Sequence, residues 1–231
     1  MQAMLNTAEE SMTDVAAPES QPKPKQNAPR TVNPALEKLF ELHPNLFGAK
    51  FLPLKLGIFH DLLARHPDAF KKDELKLAMG QHARSTRYLE CVAAGLARHD
   101  LDGVAVEPVA PEHVHHAILE VFRRRQARSK DDLRPRLGML LKQAIENSGM
   151  ALEDYAALVR VQDEATNALL DDAMAELKAE AAKREALMTT FTASGKTEAE
   201  FADMYGMNLK LVSSVLARVR AEEATKTGVL T

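Results

Sequence analysis

Four cations, Lys72, Lys76, Arg84 and Arg87, fall close together in a stretch whose apolar residues recur with helical spacing. With Lys72 at zero on a wheel of about 100° per residue, Lys76 falls near ~40°, Arg87 near ~60° and Arg84 near ~120°. Leu75, Ala78, Met79, His82, Thr86 and Leu89 occupy the sector from about 240° to 340°. A helix with this pattern is apolar toward a core and basic on its other side. Such a stripe can follow a phosphate backbone, because each ammonium or guanidinium displaces a condensed counterion. The plainer alternative is a solvated basic face.

Other residues could add to that chemistry. Pro53 suits the first position of a helix running to about Arg65, with Lys55 in its first turn. The unpaired N–H groups of a helix start attract phosphate, and a nearby cation strengthens the attraction. Arg98 precedes an Asp102-Gly103 turn, and Tyr88 adjoins Arg87. A tyrosine offers a stacking face and a hydroxyl to an unpaired base or ribose, although a half-buried core aromatic has the same sequence signature. Arg123, Arg124 and Arg125 open a basic run, 123–130, that reads equally as a secondary RNA contact or a solvated linker.

Other chemistries find little support. His113, His115 and His116 read as surface histidines, and no CxxC or HExxH spacing offers a metal its convergent ligands. His82 falls on the apolar side and reads as a packed core residue. The single cysteine, Cys91, lacks a catalytic partner pattern and reads as a buried thiol. No glycine-rich phosphate loop or nucleophile elbow is present. The expectation is a protein without catalytic activity, cofactor or metal.

The elements that must hold these residues follow from period and punctuation. Residues 1–33, with Pro22, Pro24 and Pro29 among polar residues, read as a disordered arm. A first helix opens at Pro34 behind an Asn33 cap and ends at His43-Pro44. The second spans Pro53 to Arg65. A third begins near Lys72, with Gly80 a point where it could kink or divide. Asp102-Gly103 between short apolar runs predicts a small β-hairpin, and Pro111 opens a further helix. Beyond Asp131 the pattern is helical, over 132–148 and 151–188. A helix–turn–helix-like pair lies at 197–221, turning at Gly206.

The 231 residues carry a net charge of −3, which alone does not advertise a nucleic-acid binder. The distribution is uneven: residues 34–130 hold 15 Lys and Arg against 12 Asp and Glu, and residues 131–231 hold 12 against 17. No apolar run approaches the ~18–20 residues of a membrane helix, and no secretory h-region is visible at the N-terminus. With one cysteine, the expectation is a cytoplasmic protein.

Three motifs then occur in register. Pro53-Leu54-Lys55-Leu56-Gly57-Ile58-Phe59-His60-Asp61-Leu62 resembles the PLKxGIxxDL hallmark of the ProQ/FinO family. Arg87-Tyr88-Leu89 is similar to the family's RYL element, and Leu101-Asp102-Gly103 to its hairpin turn. The resemblance covers residues 34–122. It implies a compact, mainly α domain with a small β-hairpin, flanked here by a basic linker at 123–130 and an acidic helical extension at 131–231. It also implies an RNA chaperone that grips a stem-loop together with its 3′ single-stranded tail, on small RNAs and mRNA 3′ ends, in post-transcriptional regulation. By the same resemblance Tyr88 and Arg98 would form the pocket for the 3′ end, Lys55 would hold tail phosphates, and Lys72, Lys76 and Arg87 would contact the duplex, with Arg84 on the same face. Gly80 stands where relatives often carry a basic residue, which removes one contact. The extension would serve self-association, a protein partner or competition with RNA. The rival reading is a DNA-binding transcriptional regulator using 197–221.

Overall fold

The computed structural model describes residues 33–48 and 50–228, with side chains through residue 224. The expected arm at 1–33 therefore lies, but for Asn33, outside the described residues. Helix α1 (Pro34–Leu42) starts as its sequence dictates: Asn33 Oδ1 accepts the Ala35 N–H at 3.0 Å and Pro34 fills the first turn. Pro44 both ends α1 and opens a one-turn helix, α2 (Pro44–Phe47). Then follow α3 (Ile58–Arg65), α4 (Lys72–Ala83), α5 (Thr86–Ala93), an antiparallel hairpin of β1 (Arg98–His99) and β2 (Ala105–Glu107), and α6 (Pro111–Gln126). The fold is mainly α with one small hairpin, as expected.

Two local expectations are corrected. Pro53 does not begin a helix. The Pro53–Lys55 segment runs alongside β1 instead, where His99 N–H donates to Pro53 O (2.7 Å) and Lys55 N–H to His99 O (2.8 Å). Helix α3 begins only after Gly57, whose φ of +81° is a backbone state glycine adopts without penalty. The third helix divides at Arg84-Ser85 rather than at Gly80. Ser85 Oγ accepts the Tyr88 N–H at 3.2 Å and caps a new helix, α5, so a single wheel drawn from Lys72 to Leu89 mixes two axes.

The remainder is helical: α7 (Arg134–Ser148), α8 (Leu152–Val159), α9 (Glu164–Ser194), α10 (Glu198–Met204) and α11 (Leu209–Gly228). Gly149 (φ +65°) and Gly195 (φ +60°) end α7 and α9 in the left-handed region. Thr197 and Glu200 cap α10 reciprocally. The main core gathers Leu39, Phe47, Leu62, Leu75, Ala78 and Ile118, and it runs on through Leu137 and Leu141 of α7 to Ala173 of α9. Helix α6 carries this continuity, packing on α5, α7 and α8. Two smaller clusters follow, one around Tyr155 and Leu170, the other around Phe201, Val212 and Leu216. None of the helices among the described residues is long and apolar enough to cross a membrane.

Candidate nucleic-acid interface

The peptide unit of Leu54 is the point on which the expected tail-binding residues converge. Leu54 N–H donates to Tyr88 Oη at 3.1 Å, and Arg98 Nη1 donates to Leu54 O at 3.0 Å. Arg98 also places Nη2 3.4 Å from His113 Nδ1. Tyr88 is 9% exposed and the Arg98 side chain 12%. The two are brought together as expected, but Tyr88 does not present an open stacking face. Its ring lies against His82, 5.0 Å between centroids, and burial raises its phenol pKa.

Lys55 lies beside this unit and is half-exposed. Its ammonium reaches Asp61 at 2.8 Å, a hydrogen bond that raises the pKa of the lysine. Across the hairpin turn, Arg65 grips Asp102 with two nitrogens at 2.6 and 2.9 Å and holds its carboxyl below the usual range. These residues, with Ala64, Asp100 and Leu101, line a cleft of about 460 Å³. His43 ties the turn to the core, with Nδ1 3.1 Å from Leu101 O and Nε2 3.1 Å from His66 Nε2. Each cation of the cleft thus faces a carboxylate of the same chain.

The lysines of α4 contrast with this. Lys72 and Lys76 are exposed and make no ion pair among the described residues. They stand four apart on one side of the helix, and the same row continues through Gly80 to Arg84. A Cβ at Gly80 would come within 3.3 Å of Arg84 Nη2, so the guanidinium folds back over the space the glycine leaves. Gly80 is the shelf on which Arg84 completes the row, a role the sequence did not reveal. Arg87, expected on this wheel, belongs to α5, where its guanidinium lies over the Phe51 ring, 4.4 Å from the centroid.

Arg123, Arg124 and Arg125 form the last turn of α6 rather than a linker. Arg123 donates to Thr166 at 3.0 Å and approaches Asp163 at 3.8 Å. Arg124 bonds Glu120, Arg84 O and Thr86 Oγ1. Arg125 pairs with Glu90 at 2.6 Å. As secondary RNA contacts they would first have to leave these partners, and they work here as fasteners between α6, α5 and α9. The three neighbouring histidines also part ways. His113 and His116 are exposed, but His115, expected at the surface, is buried 3.2 Å from the Tyr155 hydroxyl. His82 is buried among Phe47, Phe51 and Tyr88, as its place on the apolar side implied, and burial drops its pKa to about 4. Cys91 is a buried thiol, pushed up to about 12 by desolvation.

The helix pair at the C-terminal end keeps its two arginines occupied. Arg218 bonds Glu146 at 2.6 Å and Glu222 at 2.9 Å, and Arg220 bonds Glu198 at 3.1 Å.

Comparison with known proteins agrees with the motifs. Residues 29–134 match the model of the ProQ/FINO family. This segment is a ProQ/FinO-family domain. An RNA chaperone ProQ of Shewanella pealeana is 43% identical over 89 residues, which cover 37% of this chain and 42% of the relative. That of Idiomarina loihiensis is 43% identical over 83 residues, covering 34% and 40%. The chain thus spans about two-fifths of the length of the curated relatives it matches. Among solved structures, a ProQ homolog from Legionella pneumophila is 28% identical, covering 49% of this chain and 98% of its own, with a TM-score of 0.36. The matches lend the DNA-binding alternative no support.

Proposed function

We propose that this chain is an RNA-binding chaperone that takes a structured RNA where its stem gives way to a 3′ single-stranded tail. The ProQ/FinO-family domain over residues 29–134 supports the class of ligand. The observation that carries the division of labour is electrostatic. The row Lys72–Lys76–Arg84 faces solvent and makes no ion pair among the described residues, whereas the cleft cations Lys55 and Arg65, and Arg98 beside them, are each paired with a carboxylate. A bare row supplies affinity for any duplex backbone, since A-form RNA hides its base edges in a deep, narrow groove. A matched, hydrogen-bonded cleft gains little from nonspecific phosphate and rewards only a ligand whose geometry replaces the internal bonds. In this reading Lys55 and Arg98 hold the tail directly, and Tyr88 sets their placement through Leu54. Small RNAs and the 3′ ends of messenger RNAs are the fitting partners, in post-transcriptional regulation in the cytoplasm.

The test is a titration of the full chain against two hairpins of identical stem, one blunt and one carrying a 3′ oligo-U tail. Arg98→Ala should lose most of the preference for the tailed RNA. Lys76→Ala should weaken both RNAs alike. Equal losses on both RNAs for both variants would refute the assignment.

A further inference from the structure

Glu107 has no part in the interface as expected from sequence, yet its carboxylate stands inside it. The last residue of β2, it accepts the Leu56 N–H through Oε1 at 3.1 Å, and the same oxygen lies 4.0 Å from Arg98 Nε. The Glu107 side chain is 37% exposed and that of Arg98 12%, so the carboxylate is the more solvent-facing member of the pair. An acceptor oxygen set between a peptide N–H and a guanidinium occupies a position an RNA phosphate or ribose oxygen could take. No other carboxylate approaches Arg98 within ion-pair distance among the described residues.

Resting on the proposed tail-binding role of this cleft, we infer that Glu107 is an internal competitor for the RNA tail. In the RNA-free molecule it accepts the Leu56 amide and, from 4.0 Å, offsets part of the Arg98 charge. RNA entering the cleft displaces it, and the cost of that displacement sets a threshold which a weakly fitting tail does not pass. Glu107 is then a specificity-determining residue that acts by opposing the ligand rather than contacting it. The pairing also explains how Arg98 can lie beside an RNA cleft without capturing stray phosphate. Its charge is met from within until a complete ligand arrives.

Glu107→Gln separates competition from architecture. The amide oxygen of glutamine can still accept the Leu56 N–H, so the hairpin keeps its anchor and only the charge is lost. Glu107→Ala removes both. On the whole 231-residue chain, Glu107→Gln should tighten binding of the tailed hairpin by about 1.5- to fivefold, the range for a partly exposed charge pair. The slope of log affinity against log salt should steepen by somewhat less than about one, as Arg98 becomes free to neutralise phosphate. Neither change should appear in an Arg98→Ala background, and the thermal midpoint should stay near that of the parent. Glu107→Ala should tighten binding as well even if its midpoint falls. Unchanged affinity in Glu107→Gln would overturn the inference and leave Glu107 as a hairpin anchor. Weaker binding would overturn it too, since the carboxylate would then accept bonds from RNA. Both results leave the parent reading standing provided the unmodified protein prefers the tailed hairpin; loss of that preference in the parent itself sinks both.

Discussion

Replacing Tyr88 with phenylalanine removes one oxygen atom and tests the keystone of the interface. The ring, with its 5.0 Å contact to His82, is retained. What goes is the acceptor for the Leu54 N–H, at 3.1 Å, in a residue only 5% exposed. Pro53 O cannot substitute, because it belongs to the same planar trans peptide unit as the Leu54 N–H and points the opposite way. A buried donor left without a partner costs about 1–3 kcal/mol. For a chain of this size that corresponds to a fall in thermal midpoint of roughly 2–4 °C per kcal/mol. Urea unfolding followed by far-UV circular dichroism should show a lower midpoint with an unchanged slope. Discrimination between tailed and blunt hairpins should shrink in the same protein, since the freed Leu54 unit no longer fixes Lys55 and Arg98. Parental stability in Tyr88→Phe would refute the reasoning, for it would mean that the Leu54 amide finds water or another acceptor at no cost.

Leu141→Ala, at a position with no exposure, should lower stability by about 2–5 kcal/mol, and RNA binding should fail at a lower temperature although the site lies on other helices; calorimetry with and without RNA checks this. Lys72→Ala and Lys76→Ala should each reduce the salt slope of RNA binding by about 0.7–0.9, with the effect the same on blunt and tailed hairpins in a salt titration. His82 and His115, whose pKa values burial drops to about 4, resist protonation in the fold but not in the unfolded chain. Stability should therefore be fully present above pH 6.5 and fall as the pH drops from there toward 4, by up to about 3 kcal/mol for each imidazole. His115→Leu should flatten part of that decline in denaturant titrations at successive pH values.

The elements that punctuation governs were legible in the sequence. Asn33-Pro34, Asp102-Gly103, Gly149 and Ser194-Gly195 each impose a local geometry that packing did not override. The start of α3 was misread because proline at a helix opening and proline in an extended segment look alike. What decides between them is the backbone of His99, distant in sequence from Pro53. The division of α4 from α5 was missed because the apolar period survives the break at Ser85. Arg123–Arg125 could not be told from a linker, since their partners Glu90, Asp163 and Thr166 are scattered along the chain. Glu107 left no signal at all: a lone acidic residue after a hairpin acquires meaning only when the turn before α3 is folded against it.

The sharing of one core between α6 and α7 bears on how this module could be moved. Cutting after the basic turn of α6 would strip Leu137 and Leu141 from the molecule and leave the apolar flank of α6 facing water, at about 1.5–3 kcal/mol for each leucine removed. A transplant of the RNA-gripping surface onto a foreign carrier would need to extend to the glycine that closes α7, with a substitute for the Ala173 side of α9. The natural seam for such engineering lies where the helix ends, well past the point where the charge of the chain changes sign.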